Sequence, residues 1–193
     1  MGKRSEPGLV ANGRGIFVHN PRAAGSSLAA ALGCWDSHDT AWELRKRYGF
    51  SRWSKAFTFG IVRHPWIRAV SWFVWNHGCA SPRDFREWVA TGCPESWNHF
   101  NWTGRPINPL CQVQHFAAEG GIIVDHIARF ESLDDEIETI CGVLDIPLVT
   151  LPHIGAATST VWQEFYDDRS RDAIARLDRW AIKKFGYEFE EPR

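Results

Sequence analysis

Near the start of the chain, Asn20-Pro21-Arg22-Ala23-Ala24-Gly25-Ser26-Ser27 puts a cation, small residues and two hydroxyls into one loop. Small residues let an anion approach the backbone amides, Arg22 neutralises it, and the hydroxyls of Ser26 and Ser27 donate to it. A phosphate or a sulfate suits that composition. The loop is not a Walker A sequence, which needs Gly-Lys-Ser/Thr after a four-residue gap. A second basic stretch is Arg63-His64-Pro65-Trp66-Ile67-Arg68-Ala69-Val70-Ser71. With a helix starting at Pro65, Ser71 lies about two turns in, on a face that can look back toward Arg63. One phosphate could then receive both a guanidinium fork and a hydroxyl. Alone, each stretch also reads as an ordinary strand-to-helix turn with a solvated arginine; two together are harder to read that way.

The elements that must hold these loops are legible around them. Ile16-Phe17-Val18 is a buried-strand pattern ending at the turn residues Asn20-Pro21, and Ser26 to Leu32 follows as a helix with a hydroxyl in front and Gly33 behind. Ala56 to Val62 repeats the strand pattern, and the segment from Pro65 through Trp75 repeats the helix. Ser81-Pro82 opens a helix closed by Gly92, residues 93–109 form a long loop, and Ile122-Ile123-Val124 reads as a third strand. Ser132 is expected to cap a helix to about Leu144, with Asp134, Asp135 and Glu136 in its first turn. A single amphipathic helix is expected from Ser170 to Phe185. Strands alternating with helices predict an α/β fold, a single domain with a central parallel sheet flanked by helices. Such sheets bind ligands at the carboxyl ends of their strands, where both basic loops would lie. Residues 1–14 are expected to be a flexible N-terminus ahead of a domain over 15–193.

Composition narrows the partners. The 193 residues are 44% hydrophobic and 23% charged, which suits a folded globular chain, and a net charge of -1 gives no bulk attraction to nucleic acid or to an anionic membrane. Residues 1 to 110 nevertheless carry 14 Lys and Arg against 7 Asp and Glu, and the remainder 8 against 16. The positive half is the one with the anion loops. The first residues have no continuous apolar core, so no secretory signal is expected. The longest uncharged stretch, Ile146 to Gln163, is broken by Pro147, Pro152 and Gly155, so no membrane span is expected. These features predict a cytoplasmic protein. The five cysteines, Cys34, Cys79, Cys93, Cys111 and Cys141, have no CxxC spacing and read as reduced, mostly buried thiols rather than a metal or redox site.

Taken together, the two basic stretches resemble motifs of the sulfotransferases, in particular the carbohydrate-sulfotransferase-like group with the heparan 2-O-sulfotransferases and many bacterial proteins. Pro21-Arg22-Ala23-Ala24-Gly25-Ser26-Ser27 is similar to that family's Pro-Lys-Thr-Ala/Gly-Gly-Thr-Ser loop. Arg63 to Ser71 is similar to its Arg-Asn-Pro-Trp-x-Arg-x-Val-Ser, with His64 in the Asn position. Arg129-Phe130-Glu131-Ser132-Leu133, Leu151-Pro152-His153 and Phe185-Gly186-Tyr187 resemble further family motifs in the right order. The resemblance spans roughly residues 15 to 189 and implies a P-loop-like nucleotide-binding fold. Its implied donor is 3′-phosphoadenosine 5′-phosphosulfate (PAPS), leaving 3′-phosphoadenosine 5′-phosphate (PAP). Residues 22–27 would grip the phosphosulfate, Arg63 and Ser71 the 3′-phosphate, and Phe130 would lie near adenine or pack in the core.

The implied reaction moves a sulfuryl group to a hydroxyl of a sugar or small molecule and calls for no metal. It needs a base, and His38 lies in a His-x-Thr-Ala context resembling the family's catalytic His; its rate contribution should rise through neutral pH unless Asp36 and Asp39 raise its pKa. His19 reads as a core group, and His153 as a product-site, acceptor-site or packing residue. Where the family loop has Lys, Arg22 can neutralise charge but not give up its proton, and Ala23 removes a hydroxyl. Trp72, Trp75, Trp88, Trp97 and Trp102 read mainly as core or lid packing near a candidate acceptor cleft. Two alternatives stand beside the enzyme: a non-catalytic nucleotide-binding protein of the same fold, and a nucleotide-kinase-like phosphotransferase, for which a Walker lysine and a metal-binding acid are missing.

Overall fold

Ile16, Phe17 and Val18 are β-branched or aromatic, a composition that suits a strand buried on both faces, and they form β1 (Gly15–Val18). The computed structural model describes residues 6–78, 81–94, 98–152, 154 and 161–190. After β1 come α1 (Gly25–Leu32), α2 (Ala41–Tyr48) and the short α3 (Phe50–Trp53), then β2 (Phe57–Val62), α4 (Pro65–His77) and α5 (Pro82–Ala90). A short α6 (Val113–Phe116) leads into a hairpin of β3 (Ala117–Ala118) and β4 (Gly121–Ile122). β5 (His126–Arg129), α7 (Leu133–Leu144), α8 (Asp168–Leu177) and α9 (Arg179–Phe185) complete the order.

β2 is the middle strand of a three-stranded parallel sheet, with Gly15 of β1 opposite Phe57 and His126 of β5 opposite Phe59. Alternate side chains enter opposite cores. Phe17, Phe59 and Ile61 pack with Leu28 and Leu32 of α1 and with Ile137, Ile140 and Leu144 of α7. Ile16, Val18 and Val62 pack with Leu44, Trp53 and Phe116. A third cluster joins Trp66, Trp72 and Phe73 of α4 to Phe85 and Trp88 of α5, Trp162, and residues of α8 and α9. These four tryptophans are thus mainly packing, as was expected of Trp72 and Trp88. Gly60 is required in β2: a Cβ there would lie 2.3 Å from a ring carbon of Phe116 and 2.9 Å from the Val18 carbonyl oxygen. The α/β class and the parallel sheet flanked by helices agree with the sequence reading.

Several boundaries differ from it. The third strand of the parallel sheet is His126–Arg129, not Ile122-Ile123-Val124, of which only Ile122 is in a strand, the short β4 of the hairpin. The Asp125 carboxylate accepts from the Thr58 amide at 2.8 Å and hydroxyl at 2.7 Å, and the Asp125 amide donates to the Thr58 carbonyl at 2.8 Å. That clip fixes the register so that pairing with β2 begins just after it. Ser132 does not cap α7; a 3-10 turn at Phe130–Ser132 precedes the helix, and Glu136 reaches back to the Arg129 amide and His126 Nε2. The expected tail helix is two helices, broken at the buried Asp178. Residues 6–14, expected to be a flexible lead-in, hold contacts of their own: Val10 is buried, and the Pro7 carbonyl accepts from Tyr48 at 2.6 Å. No helix among the described residues is long and apolar enough to cross a membrane.

Candidate active site

The carboxyl ends of β1 and β2 lie side by side, Val18 opposite Gly60, so the two basic stretches leave the sheet together. They open on a cleft of about 760 Å³ lined by Arg22, Ala24 to Ser27, His38, Arg63 and Phe130, among others. Arg22 and Ala24 have φ of 63° and 58°, the left-handed region, which costs a non-glycine residue about 1 kcal/mol or more. Strain of this kind clusters at ligand-binding loops, where the surrounding structure holds it. α1 begins at Gly25 with no side-chain cap on its first amides, so the expected hydroxyl cap is not formed. The helix dipole there favours negative charge.

The two arginines are linked. Arg63 donates to the Arg22 carbonyl at 3.1 Å and lies 4.4 Å over the Phe130 ring. Arg22 Nε donates to Ser71 Oγ at 3.0 Å, and its guanidinium lies 4.6 Å over the exposed Trp75 ring. Ser71 is buried and reaches the cleft through Arg22; its hydroxyl still has its own hydrogen to give. Burial lowers the pKa of Arg22 from its ordinary value. Ala23 departs from the expectation: it is fully buried in the core against Leu28, so only its backbone can serve a ligand. Leu133 and Ile137 of α7 and the segment from Leu148 to Pro152 add apolar surface to the same cleft. A nucleotide, anionic at one end and aromatic at the other, matches that mixture.

A buried polar scaffold fixes the strand ends. Arg68, with no more than 1% of its surface exposed, donates to the carbonyls of Pro21 (2.8 Å), Pro109 (2.6 Å) and Leu110 (3.3 Å) and to Asn20 Oδ1 (2.7 Å). Gln112 Oε1 accepts from Asn20 and from the Arg63 amide, while its Nε2 donates to the Arg63 carbonyl and to Asp178. Burial pulls Arg68 down to about 10 and pushes Asp178 up to about 6. The motif-like residues farther along serve this framework too. Glu131 accepts from the His64 amide at 2.7 Å and from the Tyr187 hydroxyl at 2.8 Å, and the His64 ring donates to the Glu188 carbonyl at 2.8 Å. His64 is therefore a core residue, packed on Trp66, Trp162 and Tyr187. The sequence offered no sign of Gln112 or Asp178, whose partners lie far along the chain; Arg68 stood inside the second stretch without an evident task.

His38 reaches the same cleft, and beside it, at a ring-centroid distance of 4.4 Å, is His19. His19 is 3% exposed, as a core residue would be, yet it also lines the cleft. Its Nδ1 is hydrogen bonded to Asp36. That bond is the main reason the Asp36 carboxyl is held down at about 2, against the opposing effect of burial. His38 is pulled down to about 4, first by burial and then by the charge of His19, with Asp36 pulling the other way. Its imidazole is thus already neutral across the neutral range, where the sequence reading expected it to be losing its proton. The sequence signal for His19 was its place just before the loop, and for Asp36 its place two residues before His38.

Among the described residues, two groups present metal-type ligand atoms within 4.8 Å of one another: His19, Asp36 and His38, and Asp39, Glu43 and His99. In the first, His19 and Asp36 are bonded to each other. In the second, Glu43 already accepts from Thr40, His99 and Phe100. Both trios are explained by protein contacts. Of the tryptophans proposed near an acceptor, Trp72 and Trp75 line the cleft, Trp88 packs in the core, and Trp102 is 46% exposed. Trp97, His153, Gly155 and Cys79 lie outside the described residues. Cys34, Cys111 and Cys141 are free thiols, and Cys93 and Cys141 are buried.

No curated protein and no solved structure matches the chain. A family model described as the sulfotransferase family matches residues 36–175, taking in His38, Arg63, Ser71 and Phe130 and beginning after the Arg22 loop. With well over half of its length matched, and with the parallel sheet and strand-end cleft in place, the chain belongs to the sulfotransferase family.

Proposed function

We propose that the protein transfers a sulfuryl group from PAPS to a hydroxyl of a carbohydrate or small-molecule acceptor. One observation carries the reading: Arg22, Arg63, Phe130 and His38, drawn from four separate parts of the chain, line one cleft at the ends of β1 and β2. The Arg22 loop and the first amides of α1 hold the 5′-phosphosulfate. Arg63 and the Ser71 hydroxyl take the 3′-phosphate, and adenine rests near Phe130. In-line displacement then needs only an oriented hydroxyl, a base and positive charge around the sulfuryl oxygens. His38, neutral at working pH, accepts the hydroxyl proton while Arg22 compensates the charge gathering on the leaving phosphate. The apolar and aromatic surface around Trp75 receives the acceptor. The reaction we propose takes place in the cytoplasm.

Calorimetry with PAP and ADP tests the donor assignment. PAP should bind about ten- to a hundredfold more tightly, because a charge-assisted hydrogen bond contributes about 1.5 to 3 kcal/mol and ADP lacks the 3′-phosphate. Arg63→Ala should remove most of that preference. Equal binding of the two nucleotides by the parent protein would sink the reading. Binding of PAP with no transfer to any acceptor in a broad screen would favour the non-catalytic alternative.

A further inference from the structure

We propose that His19 is the general acid for the departing 5′-phosphate, a role that Arg22 cannot fill. The inference rests on the sulfotransferase reading. A guanidinium keeps its proton at any ordinary pH, so the loop cation can stabilise the leaving oxygen only by charge. His19 stands directly behind that loop. A Cβ built on Gly25 would fall 1.8 Å from His19 Cδ2 and 1.9 Å from Nε2, so this edge of the ring lies flat against the first residue of α1. Gly25 is the one residue type that permits the approach. The ring is 3% exposed and wedged on Phe17, with stacked centroids 5.8 Å apart. The bond from Nδ1 to Asp36 fixes its orientation and leaves Nε2 as the nitrogen on the loop side.

The second imidazole completes the pair. The two neighbouring imidazoles have different surroundings: His19 is bonded to the Asp36 carboxylate, whereas His38 is held down first by burial and then by the charge of His19. Neighbours in unlike environments are suited to opposite roles, one acid and one base. As the acceptor oxygen bonds to sulfur, its proton passes to His38. The bond between sulfur and the bridging oxygen breaks, its electron pair stays on that oxygen, and the oxygen takes the Nε2 proton of His19. Once the products leave, solvent returns a proton to His19 and removes one from His38.

The test is single-turnover release of sulfate from PAPS, with water as acceptor, alongside PAP affinity. His19→Asn keeps an amide where Nδ1 stood and deletes the Nε2 donor. It should slow release about a hundredfold or more, the usual size of such a contribution, while PAP affinity stays within about threefold. Arg22→Lys alters the binding loop itself, so its own effect on the parent is measured and taken as the reference. In the His19→Asn background it should restore at least about tenfold, because a lysine at the loop can donate a proton; that non-additivity is absent if His19 only props up the loop. His19→Gln, with the opposite amide placement, should be as slow as His19→Asn. Release by His19→Asn within about threefold of the parent, loss of its PAP binding, or a double variant no faster than His19→Asn alone would overturn the proposal. If the parent prefers PAP to ADP and any of these results appears, only the role of His19 falls. If the parent shows no such preference and releases no sulfate, the sulfotransferase reading falls and this role with it.

Discussion

Replacing Arg68 by Met keeps most of the apolar stem and removes the fork that ties the Arg22 loop to residues 109 and 110. Four acceptors lose their partner: the carbonyls of Pro21, Pro109 and Leu110 and the side chain of Asn20. A hydrogen bond to a charged group contributes about 1.5 to 3 kcal/mol net, which would give about 6 to 12 kcal/mol for four. Burying a guanidinium costs several kcal/mol, however, and deleting one member of a buried charged network is usually worth about 3 to 5 kcal/mol. At about 2 to 4 °C per kcal/mol for a domain of this size, Tm should fall by about 6 to 20 °C. The drop should also depend on pH. Asp178, raised by burial to about 6 from an ordinary value of 3.8, binds more protons folded than unfolded. Its contribution to stability is therefore most favourable below about 4 and declines as pH rises through about 6. The charge of Arg68 is the largest influence opposing that rise, so Arg68→Met pushes Asp178 higher still and prolongs the decline. Thermal unfolding followed by circular dichroism should show a larger Tm gap between parent and variant at pH 8 than at pH 6. A variant within about 2 °C of the parent at both pH values would refute the view that this arginine holds the strand ends together.

Other outcomes follow from the cleft. His38→Ala should bind PAP like the parent and lose on the order of a hundredfold in transfer; the parent rate attributable to this base should be flat from pH 5 to 8 and fall as pH drops toward about 4, so a rise through neutral pH would place the base elsewhere. Adjacent loop positions should respond in opposite senses. Ala24→Gly relieves a left-handed residue and should be neutral or stabilising by up to about 1 kcal/mol, whereas Gly25→Ala drives a Cβ into His19 and should abolish PAP binding in calorimetry; a well-bound Gly25→Ala protein would mean the loop and ring are not packed as described.

The first two strands, the helices after them and the pairing of Arg22 with Arg63 were readable because each is written in adjacent residues: apolar runs, Pro at a helix start, small residues in a turn. The third strand was misplaced because its partner, not its composition, decides it. Ile122-Ile123-Val124 is more apolar than His126–Arg129 taken as a whole, yet Ile122 is 39% exposed, while the Thr58–Asp125 clip sets the true register from 67 residues away. Asp178 interrupts a clean helical periodicity for the same reason, being drawn into the core by Gln112. Ser132 satisfied the pattern of a cap but makes no side-chain bond to the first amides of α7, while Glu136 of the first turn ties the helix to the preceding strand. In the cleft, residue types were legible and couplings were not. The drop of His38 to about 4 depends on burial and on His19, neither of which its local sequence discloses.

The clasp of His64, Glu131 and Tyr187 bears on how such a chain comes off the ribosome. Every side chain proposed to hold the nucleotide lies in residues 22–130, and a growing chain exposes them early. Yet the amide of His64 waits for Glu131, Glu131 for Tyr187, and the Gln112 bridge between the strands for Asp178. Contacts this distant in sequence close late and together, since loop entropy must be overcome before they repay it. A nascent chain stopped short of residue 178 should therefore carry all the ligand-binding side chains and bind no nucleotide, so that the protein acquires its binding capacity in one step, only once Asp178 and Tyr187 have emerged.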